Sequence, residues 1–217
     1  MSKVLIVAEH LNGQLNSATA RCVTCAQAMK AESIDILVLS DAPDAIAAQA
    51  SQIAGVGKVI TIANAANAHP IAHILAPQIA GLAAAYSHVF GPSTTFGKDL
   101  MPCVAALLGT AQVSDIMAVE SSHSFKRPIY AGNAIISVTA PSDKTVVATI
   151  RTASWPAAGN GGGAAIEAGN VSASLPTHTR FVGLQQGKSD RPDLQSASKV
   201  VSGGRALGSA DAFSIIY

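Results

Sequence analysis

The stretch KVLIVA at Lys3–Ala8 decides the fold. Its apolar run is too short for a helix and is rich in β-branched residues, which is typical of a buried strand. A polar stretch at Glu9–Asn16 follows, and Ser17–Lys30 then has the composition of a helix. A buried strand followed by a helix predicts the first strand and the first crossover helix of an α/β fold.

The same alternation continues through the first half of the chain. Three further apolar runs predict strands, at Ile34–Leu39, Lys58–Ile62 and His88–Phe90. The segments between and after them predict helices, at Ala42–Ile53, Ile71–Tyr86 and about Thr94–Leu108. Strands that are apolar on both faces and alternate with helices predict a mostly parallel sheet flanked by helices.

From Gln112 onward, strand signals follow one another without helices between them. The predicted strands are Ile116–Val119, Lys126–Ala131, Ala134–Thr139 and Val146–Arg151. Gly132-Asn133, between two of these runs, is typical of a hairpin turn. We therefore expect an antiparallel β section that is added to one edge of the parallel sheet.

The signals become weaker after Arg151. Pro156–Ser174 is dominated by Ala, Gly, Ser and Asn, which offer little to bury, so we expect an irregular or mobile loop. Phe181–Leu184 is a candidate last strand of an N-terminal α/β domain at 1–187. The polar stretch 188–198 is a candidate linker, and we expect the chain after Ser189 to be mobile because it lacks the domain against which it should pack.

Residues 199–217 start a further pair of elements. Lys199–Arg205 predicts a strand that ends in a glycine turn, and Ala210–Tyr217 predicts the first turns of a helix. One strand and a short helix cannot form a core of their own. We therefore expect 199–217 to be the start of a second domain, and the chain to be a piece of a longer two-domain protein.

The composition narrows the classes of function. Charged residues make up 12% of the 217 residues, which predicts a surface partly buried in a partner subunit, although helices packed through alanine would look similar. A net charge of +1 without Lys/Arg clusters argues against nucleic-acid binding. No apolar run reaches the roughly 18 residues of a membrane span, and the chain leads straight into a strand, so we expect a cytoplasmic protein without a signal or transit peptide.

Two pairs of side chains have the spacing of reactive or metal-binding motifs. Cys22 and Cys25 have redox-motif spacing, but they lie inside a predicted helix, which favours reduced thiols in the core. His69 and His73 have the spacing of two metal ligands on one helical face. No glutamate or obvious third ligand accompanies them, so no metal is expected.

Two glycine-containing turns could contact a phosphate. Gly91-Pro92-Ser93-Thr94-Thr95 lies at a strand-to-helix junction and could bind an anion on helix amides. Capping of the helix by Ser93 and Thr94 explains the same residues equally well. Gly159–Gly163 lacks a following Lys-Ser/Thr pair, and we interpret it as a flexible connection.

A third turn is the strongest candidate for a ligand. Ser202-Gly203-Gly204-Arg205 would let a ligand approach the backbone closely, and the guanidinium of Arg205 could contact a phosphate or a planar ring. The alternative is a plain turn with a solvated arginine. Because no nucleophile elbow and no convincing pair of carboxylates is present, the residues alone indicate a soluble α/β domain and do not specify its function.

Five blocks of sequence resemble the alpha subunit of electron transfer flavoproteins, in the same order. They are VLIVAEH at Val4–His10, FGKDLMPCVAALLGTAQVSDIMAV at Phe96–Val119, RPIYAGNAIISV at Arg127–Val138, RTASWPAA at Arg151–Ala158 and SDRPDLQSASKVVSGGRALGS at Ser189–Ser209. The resemblance covers nearly the whole chain, and the last block is a signature of the family.

The resemblance implies a role in electron transfer. In this family the alpha subunit pairs with a homologous beta subunit, and a flavodoxin-like FAD domain sits on their N-terminal domains. The heterodimer accepts electrons from acyl-CoA and other dehydrogenases and often passes them to electron transfer flavoprotein-quinone oxidoreductase. It is a carrier rather than an enzyme with its own substrate. The beta subunit holds an AMP, whereas the corresponding alpha pocket is empty, which favours capping as the role of Ser93.

The resemblance also assigns one cofactor contact. Arg205 matches a family residue that contacts FAD, on the diphosphate side, and the other FAD residues of the family follow Tyr217. A flavin-binding domain would then be only started within 199–217. Two alternatives stay open: a stand-alone nucleotide-binding domain, which an AMP titration would reveal, and a purely structural domain for subunit interaction.

Overall fold

The structure, a computed structural model, describes residues 2–170, 173–185, 194, 197 and 199–217. It divides into two compact units, Met1–Phe181 and Val182–Tyr217. The candidate linker at 188–198 lies outside the described residues apart from Leu194 and Ala197. The described residues include no helix that is both long enough and apolar enough to cross a membrane.

The first unit contains the helices and strands. The helices are α1 (Ala18–Ala28), α2 (Asp44–Ser51), α3 (Ala72–Ala83) and α4 (Thr95–Leu107). The strands of the first half are β1 (Lys3–Val7), β2 (His10–Leu11), β3 (Gln14–Leu15), β4 (Ser33–Ser40), β5 (Lys58–Ala63) and β6 (His88–Pro92). The later strands are β7 (Gln112–Ile116), β8 (Ala118–Val119), β9 (Ser124–Ile129), β10 (Ala134–Thr139), β11 (Val146–Ile150) and β12 (Ala165–Ala168).

A seven-stranded sheet forms the centre of this unit, in the order β12-β5-β4-β1-β6-β11-β7. All its strand pairs are parallel. In β1, Val4 and Ile6 face a core shared with α1 and α2, whereas Leu5 and Val7 face the core of α3 and α4. Both faces are buried, which explains why the strand reads as one apolar run. The predicted α/β class and parallel sheet are confirmed.

The chain changes direction across the sheet between β1 and β6. From β1 the chain passes through α1 to β4 on one side, and β6 pairs with β1 on the other side. Crossover connections therefore diverge at this point, so the carboxyl ends of β1 and β6 mark the position of the crevice in which open α/β sheets usually bind ligands. Glu9 and Thr94 follow these two strand ends.

The predicted antiparallel section is only partly right. β9 and β10 form the predicted hairpin, with Ala134 opposite Ile129, and β8 adds a third strand. Val146–Ile150 is instead a parallel strand of the main sheet, between β6 and β7. The prediction was wrong there because the antiparallel strands themselves take the place of a crossover helix between β7 and β11. All five β11 residues are buried, as an interior parallel strand requires.

The loop predicted at Pro156–Ser174 is wrong at Ala165–Ala168, whereas the described residues on either side of this strand are irregular, as predicted. Ala165–Ala168 pairs in parallel with β5 and forms the edge of the main sheet. Before it, the amide of Ala158 donates to the carbonyl of Ala20, and the amide of Ala164 donates to Ser51. Small residues permit this close path, since a Cβ on Gly162 would meet the backbone of Ile53. Main-chain hydrogen bonds therefore order a segment that buries few side chains.

Two other predicted strands are absent from the described residues. Phe181–Leu184 carries no strand, and Lys199–Arg205 also lacks one. Among the described residues neither run pairs with another strand, and Val201 is 75% exposed. In the second unit, Arg205–Leu207 and Asp211–Ile216 form short 3₁₀ turns in place of the predicted strand end and α-helix.

Candidate functional site

A buried carboxylate lies at the crevice between β1 and β6. Glu9 is 8% exposed, and its Oε2 accepts a 2.8 Å hydrogen bond from Thr94 Oγ1. Burial raises the pKa of Glu9, and the bond from Thr94 opposes that shift. Glu9 is thus held in place by a neutral donor, without a cation beside it among the described ion pairs.

Thr94 is the N-cap of α4. It has extended backbone angles, and its Oγ1 accepts a 3.4 Å hydrogen bond from the amide of Gly97. The capping interpretation is confirmed for Thr94. It is not confirmed for Ser93, whose Oγ is buried and has no hydrogen-bond partner in the described part of the chain. Because Glu9 already places a carboxylate beside this helix end, a phosphate there would meet a negative charge.

A second polar pair links the last two strands of the sheet. Arg151 Nη1 lies 2.7 Å from Asp115 Oδ2, and the amide of Asp115 donates to Thr149 Oγ1 at 2.9 Å. Asp115 has a φ of +61°, in the left-handed region, beside a register shift between β7 and β11. Neither residue type nor spacing predicts this pair, because the bulge is what brings the carboxylate to the arginine.

The chain after β11 is fixed to α1 through a neighbouring arginine. Arg21 Nη1 donates to the carbonyls of Thr152 and Trp155, at 3.1 and 2.7 Å. The indole of Trp155 donates in turn to the carbonyl of Ile116 at 3.1 Å. These charge-assisted and neutral bonds hold the segment that leads to β12. The cluster therefore has a structural role.

The two helical cysteines are core residues. Cys22 and Cys25 are both free and fully buried. Burial raises the pKa of the Cys25 thiol to about 12, and burial together with nearby Cys25 raises that of Cys22 well above its ordinary value. Thiols that stay protonated are poor nucleophiles, so the interpretation as inert core residues is confirmed.

The two histidines at helical spacing contact the segment before the second unit. His69 stacks on Phe181 with ring centroids 3.5 Å apart, and His73 meets the His178 ring edge-on at 4.9 Å. Within the described residues no group of three His, Cys, Asp or Glu side chains could hold a metal ion. These rings pack against aromatic neighbours.

Arg205 opens a 3₁₀ turn in the second unit and is exposed. The turn is closed by the amide of Leu207, which donates to the carbonyl of Gly204 at 3.1 Å. A Cβ on Gly203 would collide with Leu207 Cδ1, whereas one on Gly204 would meet open space. In the described part of the chain, the guanidinium of Arg205 makes no hydrogen bond or ion pair. The turn thus leaves its charge and backbone accessible to a ligand, which fits one contact of a dinucleotide site.

Comparison with known proteins identifies the family. Residues 4–175 match the electron transfer flavoprotein domain. The electron transfer flavoprotein subunit alpha of Pseudomonas aeruginosa is 44% identical over 215 residues, which are 99% of this chain and 69% of that protein. The chain belongs to the electron transfer flavoprotein alpha-subunit family. The resemblance read from the five sequence blocks is therefore confirmed.

Other members of the alpha-subunit family show the same coverage. The subunit alpha of Paracoccus denitrificans is 44% identical over 214 residues, or 98% of this chain and 68% of its own length. The mitochondrial subunit alpha of Dictyostelium discoideum is 34% identical over 230 residues, or 99% of this chain and 64% of its own length. The chain thus spans about two thirds of the length of the relatives that it matches.

Proposed function

We propose that this chain is part of an FAD-containing electron carrier that is built as a heterodimer of alpha and beta subunits. The carrier accepts electrons from acyl-CoA and other dehydrogenases and passes them to the respiratory chain through electron transfer flavoprotein-quinone oxidoreductase. The observation that supports this proposal is the 44% identity to a subunit with that family name over 99% of the chain.

The described side chains support a carrier rather than an enzyme. The candidate acid–base and nucleophilic groups are already paired or protonated. Glu9 is bonded to Thr94, Asp115 is paired with Arg151, and burial raises the pKa of Cys25 to about 12. The name of the relatives, electron transfer flavoprotein subunit alpha, supports a carrier. We therefore assign to this chain a binding and positioning role.

The second unit supplies a first contact for the cofactor. When bound, FAD supplies the electron-accepting and electron-donating chemistry. Arg205 would bind it through its guanidinium, on the diphosphate side, and Gly204 leaves room for close approach of the ligand. We propose that most of the remaining FAD contacts lie outside 1–217, since the described residues of the second unit offer one charged donor beside the glycine turn.

The two alternatives differ in how well the structure supports them. A stand-alone nucleotide-binding domain would place a phosphate at the crevice between β1 and β6, where Glu9 already supplies a negative charge. A structural domain for subunit interaction agrees with exposed apolar side chains such as Tyr130 and Ile135. Binding another subunit is the role that we propose for the first unit within the carrier.

The proposal is tested by mixing the chain with the beta subunit from the same organism. We expect a one-to-one complex in sedimentation velocity, and no binding of AMP to the chain alone in calorimetry. AMP binding by the alpha chain would favour the nucleotide-binding alternative. Failure of the two subunits to associate would contradict the proposed carrier.

A further inference from the structure

The β9–β10 hairpin extends beyond the small antiparallel sheet. β8 pairs only with Phe125 and Lys126, near the base of the hairpin. From 127 to 136 the hairpin has two strands, and we call this part the hairpin arm. A two-stranded hairpin is marginally stable by itself in water, so an arm of this kind gains stability when its faces are covered.

One face of the hairpin changes from polar to apolar toward its tip. At the base, Lys126 pairs with Glu120 at 3.3 Å, which neutralises both charges. At the tip, Pro128 lies directly opposite Ile135, which is 57% exposed. The turn then presents Tyr130 at 79% exposure. Side chains that are opposite each other in an antiparallel pair share a face, so Pro128 and Ile135 form one apolar patch with Tyr130 at its end.

The turn holds Tyr130 in an unusual conformation. Tyr130, Ala131 and Gly132 have consecutive φ values of +50°, +55° and +93°. The first two residues are not glycine, so the left-handed region is strained for both of them. Asn133 fixes this geometry, since its Nδ2 donates to the carbonyl of Tyr130 at 2.7 Å. Strain of this kind is retained at sites that bind.

The opposite face of the arm carries an unfilled hydrogen-bond donor. Arg127 lies on the same face as the buried Phe125, directly opposite Ile136. Its Nε is buried and has no hydrogen-bond partner among the described residues. A buried donor without an acceptor costs free energy, so Arg127 is a strained feature of this face of the arm.

We propose that the hairpin arm is a docking surface for the beta subunit, with Tyr130 and Ile135 as its central contacts. This inference rests on the proposed function, which requires such a partner. The relatives are named as one subunit of an assembly, which calls for a protein surface on the chain. Charge supports a protein as the occupant, because Lys126 is neutralised by Glu120 and the arm offers no cationic cluster to a membrane or a nucleic acid.

The partner surface must complement the apolar patch and the exposed ring of Tyr130. An apolar depression would receive the ring of Tyr130, and a flat apolar area would cover Pro128 and Ile135. Tyrosine is among the residues that dominate binding energy at interfaces, because its ring buries a large area and its hydroxyl can still donate.

The test measures the affinity of the chain for the beta subunit of the same organism by isothermal titration calorimetry. Tyr130→Ala and Ile135→Ser remove the two central contacts. Ile166→Ser is the matched control, since Ile166 is 49% exposed on β12 at the edge of the main sheet. All three side chains are exposed, so thermal melting should show unchanged folding.

We expect Tyr130→Ala to weaken the complex by at least about tenfold, and the control by less than about twofold. If the wild-type chain and both arm variants bind the beta subunit equally well, the proposed docking surface is wrong, but the proposed function as a carrier subunit is not contradicted. If the wild-type chain does not bind, both proposals fall. If the chain alone forms a dimer and Tyr130→Ala abolishes that dimer, the hairpin arm binds a second copy of the chain. This result would also overturn the inference.

Discussion

Glu9 illustrates how one residue can decide what a common architecture binds. In open parallel sheets a ligand usually lies outside the carboxyl ends of the strands where the connections diverge. Here the carboxylate of Glu9 occupies that position, hydrogen-bonded to the N-cap of α4. The cost of this arrangement is the burial of an ionisable group, which raises its pKa.

The raised pKa of Glu9 gives a testable pH dependence. Above its ordinary value of 4.5, the unfolded chain loses this proton before the folded chain does, so folding stability falls as pH rises through the raised pKa. Glu9→Gln removes this dependence and can retain the hydrogen bond from Thr94. Urea unfolding should give equal stabilities below pH 4.5 and an increasing advantage for the variant above it. Glu32→Gln is an exposed control, and an identical pH profile for wild type and Glu9→Gln would contradict the account.

Arg205 is the residue that we propose as an FAD contact, and this proposal can be tested directly by substitution. In the heterodimer that contains the complete alpha subunit, Arg205→Ala should weaken FAD binding by about ten- to a hundredfold, since a charge-assisted contact contributes roughly 1.5–3 kcal/mol. Flavin release would be followed by absorbance during dialysis. Arg180→Ala removes an exposed arginine from the first unit as a control. Unchanged flavin retention in Arg205→Ala would remove this residue from the site.

Sequence predicts some of these residue roles and misses others for a physical reason. Cys22 and Cys25 can be interpreted from sequence because their position within a helix already denies them a low pKa. The pairing of Asp115 with Arg151 cannot be read in this way, since it depends on a bulge and on the order of strands. Tyr130 also gives no sequence signal as a contact residue, because its exposure is set by the turn.

Two helix ends provide a matched comparison at the level of elements. After α1, Lys30 has a φ of +57°, and Ala31 donates to the carbonyl of Ala26. After α4, Gly109 has a φ of +61°, and Thr110 donates to the carbonyl of Ala105. Both ends are the same left-handed cap, but only the second has the glycine that this conformation favours.

This comparison predicts opposite effects for two substitutions. Lys30→Gly should increase the free energy of unfolding by about 0.5–1 kcal/mol, because it relieves the left-handed strain at some entropic cost. Gly109→Ala should decrease it by about 1 kcal/mol, and a new Cβ there meets no atom within 4 Å, so only the backbone conformation is affected. Chemical denaturation of both variants gives the comparison. A change of the same sign in both would contradict the assignment of these caps.

Element order was predicted well where strands and helices alternate, and less well afterwards. Lys3–Ala8 and the apolar runs that follow it in the first half of the chain are continuous and short, which is typical of buried strands. Val146–Ile150 has the same apolar pattern, but its neighbours β6 and β7 are chosen by long-range pairing across the sheet. The strand Ala165–Ala168 is still harder to predict from sequence. It lies at the edge of the sheet, main-chain hydrogen bonds hold it, and all four of its residues are exposed. The hydrophobic pattern of a sequence indicates which side chains are buried. A strand that buries few side chains therefore cannot be predicted from this pattern.

At the scale of the whole molecule, the low content of charged residues and the exposed apolar side chains both favour a surface that binds a partner. Charged residues make up 12% of the sequence, while Tyr130 and Ile135 are left exposed on the hairpin arm. This composition is typical of a surface that a partner partly covers, although helices packed through alanine give a similar composition. The proposed carrier supplies one in the beta subunit, and its cofactor needs more contacts than one guanidinium. A single charge-assisted contact falls far below the roughly 8 kcal/mol of micromolar binding.

The most direct test is one size-exclusion run of the chain mixed with the beta subunit and excess FAD, with protein and flavin absorbance recorded together. The account predicts one peak that contains both subunits in equal amounts, with the flavin eluting later as a free small molecule. Two separate protein peaks would contradict the role of the chain as a subunit of the carrier. A peak in which the alpha chain retains one flavin per molecule would contradict the view that residues 1–217 hold only part of the FAD site.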